Sequence, residues 1–71
     1  MSEWIVYVCL KDNRYYTGIT TDLPHRLRQH GQPELKYTER HPDRFSAARR
    51  ERAIKGWSRK QKERLWSAAD R

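Results

Sequence analysis

The sequence predicts an α+β fold: a small antiparallel β-sheet, made of a hairpin with or without a truncated third strand, packed with three to four helices. Three observations predict it. Residues 4–20 hold two β-rich runs flanking a turn, and residues 21–69 hold helix caps, helix stops and apolar positions at helical spacing. The chain has 71 residues, 35% of them hydrophobic, which is enough for one domain (1–71) with a thin core. A domain this small buries only about 60% of the surface its unfolded chain exposes. Its eight aromatic residues argue against disorder.

Trp4-Ile5-Val6-Tyr7-Val8-Cys9-Leu10 is β-branched and aromatic, and apolar on both faces, so it reads as a central strand. Lys11-Asp12-Asn13-Arg14 supplies turn chemistry, and Tyr15 to Thr20 resumes the extended pattern to complete a hairpin. Alternation puts Tyr16, Gly18 and Thr20 on one face of the second strand and Tyr15, Thr17 and Ile19 on the other. Gly18 inside a strand admits close approach by a backbone or a ligand. Thr21 or Asp22 caps a first helix that tolerates Pro24 in its opening turn, runs to about His30 and stops at Gly31. Leu23 and Leu27 form its buried stripe, with Arg26 and His30 aligned beside them. Gln32 to Arg44, with Pro33 and Pro42, reads as loop or a short helical turn. Ser46 caps a helix that ends before Gly56. Ser58-x-x-Gln61 is a capping box for a last helix whose Leu65, Trp66 and Ala69 face inward.

Charge narrows the function. Residues 1–43 carry equal numbers of Lys/Arg and Asp/Glu, so the whole formal excess of +7 lies in residues 44–71. Such one-sided basicity suits a polyphosphate partner, because each neutralised phosphate releases counterions. It equally suits a solvated basic helix that keeps the protein in solution. The single cysteine, Cys9, excludes an internal disulfide and reads as a small buried strand residue in a reducing cytoplasm. The longest apolar run, Trp4 to Leu10, is far shorter than the ~20 residues of a membrane span. Glu3 and the lack of a basic leader speak against a secretory signal. The expectation is a cytoplasmic protein with no membrane partner.

Glu51 breaks a pattern. At about 100° per residue, Ala47, Glu51 and Ile54 share one helix stripe. A carboxylate in an apolar stripe is costly unless it is paired or bound to a cation. Glu51 therefore either pairs with a buried arginine such as Arg26 or serves as a metal ligand facing a cleft.

Val6-Tyr7-Val8 and Tyr16-Thr17-Gly18 resemble the paired motifs that name the GIY-YIG nucleases. Tyr15 through Leu23, followed by Arg26-Leu27-x-x-His30, resembles that family's second strand running into its first helix. Lys36-Tyr37-Thr38 resembles a further family segment, and Ala48 through Ser58 is similar to the late helix and turn of the small bacterial members. The resemblance implies hydrolysis of a DNA phosphodiester at a single Mg²⁺ or Mn²⁺. Carried over residue by residue, Glu51 matches the metal-ligand glutamate. Tyr7 and Tyr16 match the motif tyrosines, one of which helps activate the attacking water. Arg26 matches the arginine that steadies the phosphate, and His30 the position four residues on. A guanidinium suits a phosphate with two parallel hydrogen bonds. A tyrosine acting as a base needs a metal or a cation to lower its pKa from about 10. Lys36, Arg49, Lys55, Arg59 and Lys60 are the expected contacts to the nucleic-acid backbone.

The sequence departs from the family in two places, the first being a final helix without the asparagine that some larger members place in the site. The members compared carry a third strand between the Tyr-Thr segment and the glutamate helix, whereas here Pro42 is followed by Asp43-Arg44-Phe45 and then Ser46, leaving no room for a typical strand. Either a stub pairs there, or a second copy of the chain lends a strand in a homodimer, or the site is misassembled. The rival function is a degenerate module that holds DNA or RNA through its basic helices without cutting it. A third reading is an interaction protein whose charge is incidental. Ala53 and Gly56 are spaced wrongly for a helix-turn-helix. The sequence leaves open the preferred DNA structure and whether RNA is accepted.

Overall fold

The computed structural model describes residues 3–67. Its elements run β1 (Trp4–Lys11), β2 (Arg14–Thr20), α1 (Leu23–Gln29), β3 (Glu34–His41), α2 (Arg44–Lys55) and α3 (Arg59–Ser67). The expected Ala69 lies outside the described residues.

The hairpin forms as the pattern requires. Asp12 and Asn13 both take positive φ, 52° and 64°, the left-handed pair that a two-residue turn between twisted strands needs and that Asn and Asp tolerate best. Lys11 then pairs with Arg14, and the ladder runs back to Ile5 opposite Thr20. β1 is the central strand of the order β2-β1-β3, antiparallel to both neighbours, in line with its apolar faces.

β3 corrects the loop reading of residues 32–44. It is a full strand of eight residues, pairing with β1 from Trp4–His41 through Leu10–Glu34, with a register shift between Val8 and Cys9. Lys36-Tyr37-Thr38 is therefore the middle of the third strand, and the sheet is complete within one chain. Pro33 and Pro42 flank the strand without entering it, so neither removes a ladder donor. Only residues 30–33 link α1 to β3.

The core lies on one face of the sheet. Val6 and Val8 of β1 are fully buried with Ala47 and Ile54 of α2, and Trp4, Tyr15, Ile19, Tyr37, Trp57, Leu65 and Trp66 pack around them. Alternation sends Tyr7 and Cys9 to the opposite face, where both are also buried. α2 starts one turn earlier than the Ser46 cap predicts. Asp43 is the N-cap, its carboxylate accepting from the Ser46 amide at 2.8 Å, with the Ser46 hydroxyl bonded to the same oxygen at 3.1 Å. A carboxylate is favoured over a hydroxyl at this positive helix end, and Ser46 supports the cap from the first turn. The other boundaries follow the sequence. Asp22 caps α1 through the His25 amide at 3.1 Å, and His30 closes it ahead of Gly31 at φ 79°. Ser58 and Gln61 form the reciprocal capping box of α3.

Candidate active site

The candidate site is built around Tyr7. Tyr7 rises from β1 on the face away from Val6 and Val8, and its ring is 3% exposed. Its partner in the ladder is Gly18, and the ring lies across that glycine: a β-carbon there would sit 2.5 Å from Tyr7 Oη. The missing side chain is what lets the ring lie flat over β2. Arg26 of α1 and Glu51 of α2 both stand close enough for their charges to act on the hydroxyl. Burial is the main influence and pushes the Tyr7 pKa up, Arg26 opposes it, and Glu51 reinforces it. Tyr7 is thus a neutral phenol at physiological pH, suited to donating a hydrogen bond rather than to taking a proton unaided.

Glu51 does not pair with Arg26. Its ion pair is with Lys55, one turn on along α2, at 3.3 Å, and its side chain is 22% exposed. The carboxylate is thus neither sealed in the core nor spent on a buried salt bridge. Among the described residues no three His, Cys, Asp or Glu side chains converge. A lone open carboxylate does not fit a closed tetrahedral zinc site or a calcium cage. It does fit Mg²⁺ or Mn²⁺, since a Mg²⁺-like ion keeps several waters and needs only one or two protein carboxylates.

Tyr16 and His30 lie in an adjoining cleft lined also by Cys9, Lys11, Asp12 and Pro33. Tyr16 pairs with Cys9, two residues beyond the Tyr7–Gly18 pair, so both tyrosines project from the same sheet face. Tyr16 is 45% exposed. His30 caps α1, and its carbonyl accepts a hydrogen bond from Lys11 Nζ at 2.7 Å. Cys9 is buried at the floor, where burial pushes its thiol pKa up against the pull of Lys11.

The expected backbone contacts divide. Arg49 and Lys60 are exposed and without an ion-pair partner among the described residues. Lys36 is paired with Glu34 at 2.8 Å and Lys55 with Glu51. Arg59 is committed to the fold. It donates to Asn13 O at 2.9 Å and Asn13 Oδ1 at 3.2 Å, and its guanidinium stands 4.6 Å from the Tyr15 ring centre. Tyr15 in turn donates to Glu63 at 2.7 Å and packs edge-on against Trp66.

Two groups escaped the sequence reading. Lys11 looked like turn chemistry only, yet it ties the hairpin to the end of α1. Glu39 sat in a supposed loop, yet its carboxylate collects Tyr37 Oη at 2.7 Å, His41 Nε2 at 2.6 Å and Arg50 Nε at 3.0 Å. One signal was present: Arg50 falls about 40° round the helix from Ile54, close enough to the buried stripe to need a partner.

The fold is of the nuclease type, and the chain belongs to the GIY-YIG family: the model of the GIY-YIG catalytic domain matches residues 3–64. Within that family it is similar to the UPF0213 proteins. It is 38% identical over 78 positions to the UPF0213 protein YhbQ of Salmonella arizonae, covering 92% of this chain and 78% of the relative. It is 35% identical over 80 positions to a UPF0213 protein of Klebsiella pneumoniae, covering 94% and 76%. The solution NMR structure of the UPF0213 protein BH0048 from Bacillus halodurans superposes with a TM-score of 0.63 at 30% identity, covering 96% of this chain and 85% of that one. The Klebsiella alignment spans 80 positions against 94% of 71 residues, so the relative carries residues this chain lacks. Nucleases of this family generally use divalent metal ions. No helix among the described residues is long and apolar enough to cross a membrane.

Proposed function

We propose that this chain is a cytoplasmic, single-domain endonuclease that hydrolyses DNA phosphodiester bonds with a single Mg²⁺ or Mn²⁺. The observation that carries the reading is the buried Tyr7 ring laid over Gly18, with Arg26 of α1 and Glu51 of α2 near enough for their charges to act on its hydroxyl. Glu51 would hold the metal, which when bound supplies Lewis-acid stabilisation and a more acidic water.

The protein's own groups do the rest. Arg26, exposed on α1, offers a planar fork to the non-bridging oxygens of the scissile phosphate and offsets the charge that grows there as water attacks. Tyr7 keeps its proton on Oη at neutral pH and donates a hydrogen bond that orients the attacking water or a phosphate oxygen. Tyr16 and His30, in the adjoining cleft, receive the nucleotide next to the cut and are positioned to pass a proton to or from its oxygens. The Lys55 ammonium balances the Glu51 carboxylate at 3.3 Å, and this exposed lysine would swing aside where Glu51 held a cation. Arg49, Lys55 and Lys60 hold the backbone through charge, with Lys36 on the neighbouring edge strand. Such contacts do not read base sequence.

The complete sheet supports catalysis over the degenerate reading, which rested on a missing third strand. It also removes the reason for a homodimer to supply one. Metal-dependent cleavage by the wild type and by Glu51→Ala tests the proposal. DNA binding without turnover would leave a module that only holds nucleic acid.

A further inference from the structure

The polar cluster centred on Glu39 has no part in the constellation above, yet it touches the helix that carries Glu51. Both Glu39 oxygens accept from Arg50 Nε, at 3.0 and 3.2 Å, and the Glu39 side chain is only 18% exposed. Tyr37 and His41 complete the carboxylate's shell, and Arg50 stands 5.1 Å from the Trp57 ring centre. Burial alone would raise the Glu39 pKa, but hydrogen bonds from His41 and Tyr37 and the charge of Arg50 outweigh it and lower the pKa.

Among the described residues, this is the only side-chain hydrogen bond or ion pair joining α2 to the sheet. Apart from it, α2 is held by apolar contact through Ala47 and Ile54 and by the Arg44 guanidinium 5.7 Å from the Trp4 ring centre, at the first turn of the helix. Apolar contact is non-directional and resists roll about the helix axis weakly, whereas a guanidinium on a carboxylate is directional. Arg50 immediately precedes Glu51, about 100° away round the helix, so a constraint on one sets the angle of the other. At the ~5–6 Å radius of the side-chain ends, a roll of about 10° moves a carboxylate by about 1 Å. Misplacement on that scale costs on the order of 100-fold in a catalytic site.

We infer that Glu39 is a positioning residue: through Arg50 it fixes the roll of α2, and so the direction in which the Glu51 carboxylate is presented. The inference rests on the metal-site reading of Glu51.

The test uses the full chain with Arg50→Lys, which keeps the charge and loses the fork, and with Glu39→Gln. Glu63→Gln serves as the control, since it breaks the comparable tie between α3 and Tyr15 without touching α2. Mn²⁺ affinity is measured without DNA, and kcat and KM are measured at temperatures where every variant is folded by circular dichroism. Arg50→Lys and Glu39→Gln should each weaken Mn²⁺ binding about ten-fold or more and lower kcat, with KM for DNA within about two-fold. Their double variant should be no worse than either alone, and Glu63→Gln should lose thermal stability with unchanged Mn²⁺ affinity. Wild-type Mn²⁺ affinity in both Glu39→Gln and Arg50→Lys, or an equal loss in Glu63→Gln, would overturn the positioning role while leaving the nuclease reading intact. A wild type that neither binds Mn²⁺ nor cleaves DNA would overturn both.

Discussion

Tyr7 and Gly18 are one structural unit: the buried ring of the first lies where the β-carbon of the second would be, with Oη, Cζ and Cε2 at 2.5, 2.7 and 2.9 Å from that point. The two motif triplets therefore depend on each other physically, since the glycine of one makes room for the tyrosine of the other. Gly18→Ala should push the ring out of its slot. Because the ring is rigid and buried, the expected cost is about 1–3 kcal/mol, the usual range for overpacking. It should also move the hydroxyl relative to Arg26 and Glu51 and lower cleavage more than DNA affinity. Thermal melts and cleavage kinetics on the same preparation check both parts, and an alanine variant of unchanged stability and rate would remove the slot from the account.

Arg49 and Arg59 look alike in the sequence and do different work in the structure. Arg49→Ala should leave the melting temperature nearly unchanged and weaken DNA binding, with the salt dependence reduced by about one counterion. Arg59→Ala removes two hydrogen bonds to Asn13 and the contact on Tyr15, so it should cost on the order of 1–2 kcal/mol of stability. Its direct effect on DNA affinity should be the smaller of the two. Salt titrations of affinity beside chemical denaturation separate the roles.

The Glu39 cluster sets an acid limit on the fold. Its carboxyl pKa is lower folded than unfolded, so the stability it contributes is present above the unfolded value of about 4.3. That contribution is lost as pH falls through the lower folded value. Between about pH 5 and pH 3, the wild type should lose more stability than Glu39→Gln, which has no charge to lose. Denaturant midpoints across this window measure the difference, and parallel pH profiles would show that the cluster does not feed stability.

The hairpin and the three helices were legible because each carries a local signal. β1 is apolar on both faces, Asn13 and Asp12 supply the turn, and Ser58 with Gln61 writes out its own cap. β3 was not legible. Its inward face reads Tyr37, Glu39, His41, polar residues satisfied by one another and by Arg50, so the apolar alternation that marks a half-buried strand is absent. Pro33 and Pro42 at its ends reinforced the loop reading. The same polar face hid the tie to α2, because nothing local says which arginine of Arg49-Arg50-Glu51-Arg52 turns inward. Glu51 stood out as a carboxylate in an apolar stripe, but its partner was decided by the fold: Lys55 on its own helix, with Arg26 left open on α1.

The central claim is that Glu51 serves catalysis rather than folding. Among the described residues its one ion pair is with Lys55, whose side chain is 59% exposed, a pairing worth at most about 1 kcal/mol, so Glu51→Ala should fold with nearly wild-type stability. The decisive measurement is cleavage of labelled duplex, single-stranded, flap and nicked DNA with Mg²⁺ or Mn²⁺, wild type beside Glu51→Ala. The account predicts metal-dependent cutting by the wild type that falls by about 100-fold or more in the folded variant. Equal cutting by both proteins, or none by folded wild type on any substrate with either metal, would contradict it.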